Sequence, residues 1–111
     1  VDPVVRRRAM HVVAENQRVL AFADALRAGD LASAGALMVA SHESLRDLYE
    51  TSTPVMDAAV ERTCATPGVH GARMTGGGFG GCIVALAEPG ALREGWAVHA
   101  VDGAQVLEGR T

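Results

Sequence analysis

The stretch Gly71–Ala87, GARMTGGGFGGCIVALA, is where this sequence could do chemistry: five of the six positions from Gly76 to Gly81 are glycine. Glycine adopts positive φ without steric cost and lets another molecule approach the backbone, at a loss of chain entropy on folding. A run this dense marks either a demanding turn or a surface that holds something. Gly76, Gly78 and Gly81 fit G-x-G-x-x-G, but a dinucleotide loop needs a helix after it to receive the pyrophosphate. The short apolar run CIVALA follows instead. A Walker A loop needs Lys and then Ser or Thr after its last glycine. Here Cys82 and Ile83 stand in those places, and the sequence contains no Lys. Both standard phosphate loops fail. Two readings stay open on the residues alone: a wide hairpin, or a nest of backbone N–H groups for an anion or a neighbouring nucleotide loop. Phe79 fits either.

The remaining reactive residues say less. His11 and Glu15 lie four apart, a metal-pair spacing, yet without further ligands they read as a surface pair. Cys64 and Cys82 are too few for a disulfide framework and do not form a zinc-type pair. Cys82 continues an apolar run without basic neighbours and reads as an inert core thiol. The Arg6-Arg7-Arg8 cluster reads as a solvated helix face. Asn16 is either a register-setting core amide or a side chain bonded to the glycine loop. His42 and Tyr49 are candidates for facing a cleft.

These residues must be positioned by helices followed by strands. Val5, Ala9, Val12, Asn16, Val19, Ala23 and Leu26 recur at steps of four and three and predict one face of a first helix. Pro3 suits its first turn and Gly29 its end. Asp30 is the expected cap of a second helix with the stripe Leu31, Ala34, Met38, Ser41, Leu45, Leu48. Thr53-Pro54 opens a third, with Met56, Ala59, Val60 and Thr63 on one side and Pro67-Gly68 closing it. Beyond Gly68 the period changes. VHGARMT and CIVALA read as strands around the glycine loop, and AVHAV and AQVLE as further strands joined at Asp102-Gly103, a good hairpin pair. Helices and strands segregated in this way predict an α+β fold with a small antiparallel sheet.

The chain of 111 residues has room for one core, so residues 1–111 are expected to form a single domain. A net charge of −3 argues against a phosphate-backbone binder, hence no nucleic acid partner. No apolar run approaches the roughly 20 residues of a membrane span, so no membrane partner is expected. The cysteine usage suggests a reduced, cytoplasmic setting. The sequence opens on Val without an initiator Met, which suggests part of something longer.

GARMTGGGFGGCIVAL resembles the third signature motif of galactokinases, members of the GHMP superfamily of sugar and small-molecule kinases. The likeness extends to RRRAMHVVAENQRV, with His11, Val12, Val13, Glu15 and Asn16, and to ALRAGDLASAGALMVASHESLRDLYETSTPVMD. It runs over about residues 6–87. The resemblance implies transfer of the ATP γ-phosphoryl group to the C1 hydroxyl of galactose with Mg²⁺, and a ferredoxin-like C-terminal domain. It implies that Thr75, Gly76, Gly77, Gly78, Phe79, Gly80 and Gly81 lie near the ATP phosphates. The sugar signature, phosphate loop and catalytic Asp of the family are absent from this sequence. The expected partners are therefore galactose, ATP and an N-terminal kinase half, with the isolated chain inactive, free of cofactor, and a candidate homodimer. Two departures stand out. Leu48 replaces a family acid, and nine residues, Glu88–Trp96, stand where the family has a full crossover helix. A parallel crossover needs a dozen or more residues, so the shortened segment leaves sheet surface to be covered, with Trp96 expected near the joint. Another kinase of the same superfamily, or a non-catalytic sensor or remnant binding module, is the alternative.

Overall fold

In the computed structural model, which describes residues 1–107, each helix starts on a residue that satisfies its free backbone donors. Asp2 caps α1 (Pro3–Arg27), accepting from the Val4 N–H at 2.7 Å. Asp30 caps α2 (Leu31–Asp47), accepting from the Ser33 N–H at 3.1 Å and its hydroxyl at 2.6 Å. Those two bonds hold the Asp30 carboxyl below its ordinary range. Thr53 caps α3 (Pro54–Cys64) through Oγ1, which accepts from the Met56 N–H at 3.2 Å. Gly29, at φ 68°, makes the left-handed turn that ends α1.

Strands β1 (Val69–Thr75) and β2 (Cys82–Ala87) pair antiparallel, with Thr75 opposite Cys82 and Arg73 opposite Val84. Side chains alternate across a strand, so Met74 and Ile83 fall together and pack with Leu45 and Met56 as the hydrophobic centre. Helix α2 crosses β1 in backbone contact. A Cβ on Gly35 would land on the His70 carbonyl, and one on Gly71 would land on the Gly35 carbonyl. Only glycine at both positions permits this approach. α1 packs on α2, and α3 on both strands.

The α+β class, the three helices and the first two strands stand as read from the sequence. The later strands do not. Residues 88–107 contain neither helix nor strand, the sheet has two strands among the described residues, and no hairpin forms at Asp102-Gly103 within them. Glu108, the last residue of AQVLE, lies outside the described residues. EPGALREGW provides one turn, from the Ala91 N–H to the Glu88 carbonyl at 3.0 Å, and cannot return the chain across the sheet. A strand without a paired neighbour has no ladder to hold it. Trp96 is 91% exposed.

The first helix is turned relative to its expected face. Val5, Val12, Asn16, Val19 and Leu26 are exposed, while His11 and Ala25 are buried and Glu15, Arg18 and Phe22 half-buried. Polar pairing decides the rotation. The hydroxyls of Ser41 and Ser44 on α2 need partners, and Glu15 and His11 supply them. Asn16 is therefore neither a core amide nor a ligand of the glycine loop.

Candidate functional site at the glycine loop

The loop from Gly76 to Gly81 joins β1 to β2, and its backbone explains its composition. Gly76, Gly78 and Gly80 have φ of 75°, 85° and 107°, and Phe79 between the last two has φ 57°. Three successive left-handed residues, 78 to 80, bend the chain in a way that Cβ-bearing residues resist by roughly 1–2 kcal/mol each. Phe79 carries that strain with its ring 72% exposed. Its N–H donates to the Thr51 carbonyl at 2.8 Å, and the Gly80 N–H reaches Met56 Sδ at 3.2 Å. Gly78 is half-buried, and a Cβ there would meet the Thr51 carbonyl oxygen and, at 2.6 Å, Met74 Cε. Gly76 and Gly77 have open space around the Cβ position. The loop is thus pinned at its far side and bare at its tip.

Beneath it lies a buried polar relay. The Met74 N–H, at the last turn of strand before the loop, donates to His42 Nδ1 at 3.1 Å. Since Nδ1 accepts, the ring proton is on Nε2, which donates to Asp57 Oδ1 at 2.9 Å. Ser52 Oγ donates to the same oxygen at 2.6 Å. One imidazole, 3% exposed, ties α2, the segment before α3, α3 itself and β1 together. His42 does not face a cleft. It positions the root of the loop.

A second polar seam joins α1 to α2. His11 Nδ1 and Ser44 Oγ are 2.7 Å apart, and the Tyr49 ring lies over the imidazole with centroids at 4.8 Å. Ser41 Oγ donates to Glu15 Oε2 at 2.6 Å, and Arg18 Nε to Glu15 Oε1 at 2.8 Å. Burial lowers the His11 pKa below its ordinary value, more than nearby Glu15 raises it. For Glu15, burial pushes upward, but the bonds from Ser41 and Arg18 outweigh it and hold the carboxyl low. The expected surface pair of His11 and Glu15 is therefore an internal cross-link. Arg7 and Arg8 are not merely solvated either: both bond Glu50, at 2.8 and 3.1 Å, and Arg8 also bonds the Leu48 carbonyl.

Of the sequence-derived site, Thr75, Gly76, Gly77, Phe79, Gly80 and Gly81 are exposed in one contiguous loop, with Gly78 as its half-buried pivot. Cys82 is exposed rather than a core thiol, while Cys64 is half-buried and its thiol is pushed up by burial. No cluster of three or more His, Cys, Asp or Glu suited to a metal exists among the described residues. Among them, no helix is long and apolar enough to cross a membrane. Sequence reasoning missed the anchors of the loop, Thr51 and Met56, and the root formed by His42, Asp57 and Ser52. The one available signal was the place of His42 next to Ser41, on the edge of the α2 stripe.

Residues 22–97 match the family described as GHMP kinases C terminal, and the chain belongs to that family. Within it the likeness is to galactokinases. The chain is 52% identical over 115 residues to galactokinase from Homo sapiens, covering 91% of this chain and 29% of that protein. It is 58% identical over 87 residues to galactokinase from Pasteurella multocida, covering 78% and 23%. The solved structure of Lactococcus lactis galactokinase complexed with galactose superposes with a TM-score of 0.75 at 45% identity, covering 78% of this chain and 22% of that one. The chain thus spans less than a third of the length of these relatives.

Proposed function

We propose that this chain is the C-terminal part of a galactokinase, which transfers the γ-phosphoryl group of ATP to the C1 hydroxyl of galactose, and that its loop borders the ATP phosphates. The carrying observation is the loop itself. Its tip has no side chain at Gly76 and Gly77, so a triphosphate, or the phosphate loop that holds it, can approach the backbone directly. Phosphoryl transfer rests on positioning and on charge stabilisation more than on covalent help from the protein. N–H groups along a strained loop contribute fixed partial positive charge without a mobile side chain. The His42–Asp57 relay keeps the loop root in place during that approach. Among the described residues no three His, Cys, Asp or Glu converge to form a metal site of their own, and no step here runs through Mg²⁺.

The test replaces the matching C-terminal segment of human galactokinase with this chain and follows ADP release with galactose and ATP. The graft is expected to be active, and Gly77→Val in it to raise the KM for ATP with little change in that for galactose. The 111-residue chain alone is expected to release no ADP above background. A folded graft without turnover, or turnover by the isolated chain after repurification, would overturn the reading.

A further inference from the structure

We propose that Glu50, held in a left-handed backbone conformation by Arg7 and Arg8, is a positioning residue for the glycine loop, and that, resting on the galactokinase reading, it sets how the loop meets ATP. Two residues other than glycine are left-handed among the described residues: Glu50, at φ 58°, and Phe79, at φ 57°. They lie far apart in sequence, yet one hydrogen bond joins their neighbourhoods. The residue after Glu50 is Thr51, whose carbonyl accepts from the Phe79 N–H at 2.8 Å. Left-handed backbone on a Cβ-bearing residue persists only where its surroundings over-determine it. Phe79 stands between Gly78 and Gly80, which share its turn, whereas Glu50 has no glycine beside it.

A left-handed residue that turns the chain after a helix is ordinarily glycine, and this chain follows that rule at Gly29, after α1. After α2 a glutamate takes the place, so something must hold it there. Arg7 Nη2 donates to Glu50 Oε1 at 2.8 Å, and Arg8 Nη1 donates to the same oxygen at 3.1 Å. Arg8 Nη1 also donates to the Leu48 carbonyl at 2.8 Å. One guanidinium thus grips a side chain and a main-chain carbonyl two residues apart. Bonds from both arginines hold the Glu50 carboxyl below its ordinary range. Just past Glu50, the Thr51 N–H returns to the Leu45 carbonyl at 3.0 Å, which fixes the chain on the near side of the Thr51 carbonyl. Isolated ion pairs at the surface contribute little to stability. This clamp acts instead on the conformation of one residue, and through Thr51 on the loop pivot at Gly78, whose Cβ position abuts the same carbonyl.

Amide hydrogen exchange in the 111-residue chain reads the Phe79 N–H directly, with the Met74 N–H, bonded to His42, as the reference for opening of the core. Glu50→Gln keeps the side-chain length and removes the charge. It is expected to speed exchange at Phe79 by about tenfold, the factor that left-handed strain corresponds to, and to leave Met74 unchanged. Glu50→Gly turns left-handed without a clamp and is expected to stay within about threefold of the unsubstituted chain at Phe79. Raising NaCl from about 20 mM to about 0.5 M should speed Phe79 exchange in the unsubstituted chain and in neither variant. In the graft into human galactokinase, Glu50→Gln should raise the KM for ATP by about threefold or more while that for galactose holds, and Glu50→Gly should restore it. Equal acceleration at Phe79 and Met74 would overturn the proposal, because the residue would then serve stability alone. So would a Glu50→Gln chain that exchanges like the original, or a Glu50→Gly chain that exchanges as fast as Glu50→Gln. An active graft whose KM for ATP does not move, or moves together with that for galactose, would overturn the link to ATP. A graft that folds but lacks turnover refutes the galactokinase reading, and the exchange rates still decide the role of Glu50.

Discussion

Gly77 and Gly78 are neighbours in one loop, yet Ala at the two positions should act through different physics. At Gly78, φ is 85° and a Cβ meets the Thr51 carbonyl, which is fixed by the bond it accepts from the Phe79 N–H at 2.8 Å. The left-handed backbone costs roughly 1–2 kcal/mol with a Cβ present. Steric crowding against main chain adds roughly 1–3 kcal/mol, because a carbonyl cannot rotate away as a side chain can. Met74 Cε, at 2.6 Å, is the flexible end of a side chain and adds little. Gly78→Ala should therefore destabilise the chain by about 3 kcal/mol, lowering Tm by more than about 10 °C for a domain of this size. Gly77 has neither a left-handed φ nor an atom within 4 Å of the Cβ position. Gly77→Ala should stay within about 0.5 kcal/mol of the unsubstituted chain. Urea unfolding of the three proteins, followed by far-ultraviolet circular dichroism, measures the difference directly. Equal stability of Gly78→Ala and Gly77→Ala would refute the claim that Thr51 pins the loop through a left-handed pivot.

Two further outcomes follow from the packing and the polar seam. Gly35→Ala sets a methyl group on the His70 carbonyl and must push α2 off β1; it should cost more than about 3 kcal/mol and lose soluble expression before Gly29→Ala does, a position with open space and only a φ penalty. His11 has a folded pKa below 6.5, so the unfolded chain takes up its proton first as pH falls. Its contribution is complete above about pH 6.5 and declines below it, ahead of Glu15, whose contribution is lost only as pH falls through its ordinary 4.5 and lower. Denaturant midpoints at about pH 7.5 and about pH 5.5 should differ less in His11→Gln than in the unsubstituted chain; an equal drop in both would refute the assignment.

The sequence carried local instructions faithfully where one residue satisfies one backbone need. Asp30 and Thr53 cap where their side-chain oxygens can reach free N–H groups, and β1 ends where the glycine run begins and β2 starts where it stops. The rotation of α1 was not legible, because hydrophobic periodicity marks an apolar face without saying what covers it. In this chain hydrogen bonding to Ser41 and Ser44 sets the inward side. AVHAV has strand composition but, among the described residues, no neighbour with which to exchange hydrogen bonds, and pairing is a property of two segments. The loop itself was readable as glycine-rich; its anchor was not, since Thr51 acts through its carbonyl, which any residue possesses.

The contact of Gly35 with Gly71 has a bearing on how this domain tolerates change. Most helices rest on sheets through side chains, so each substitution in the interface resets the spacing by some fraction of an ångström. Here the helix and the strand that leads into the loop meet main chain to main chain, and main-chain geometry is the same whatever surrounds it. The joint works as a mechanical datum from which the position of Thr75 is measured along a strand of fixed rise. Leu45 and Ile83 can drift in size over time, and the core can soften or stiffen, without re-aiming the strand that leads into the loop. Variation in stability and variation in the aim of that strand are thereby separated, and they meet again at the two glycines and at the loop's own anchors, Thr51 and Met56.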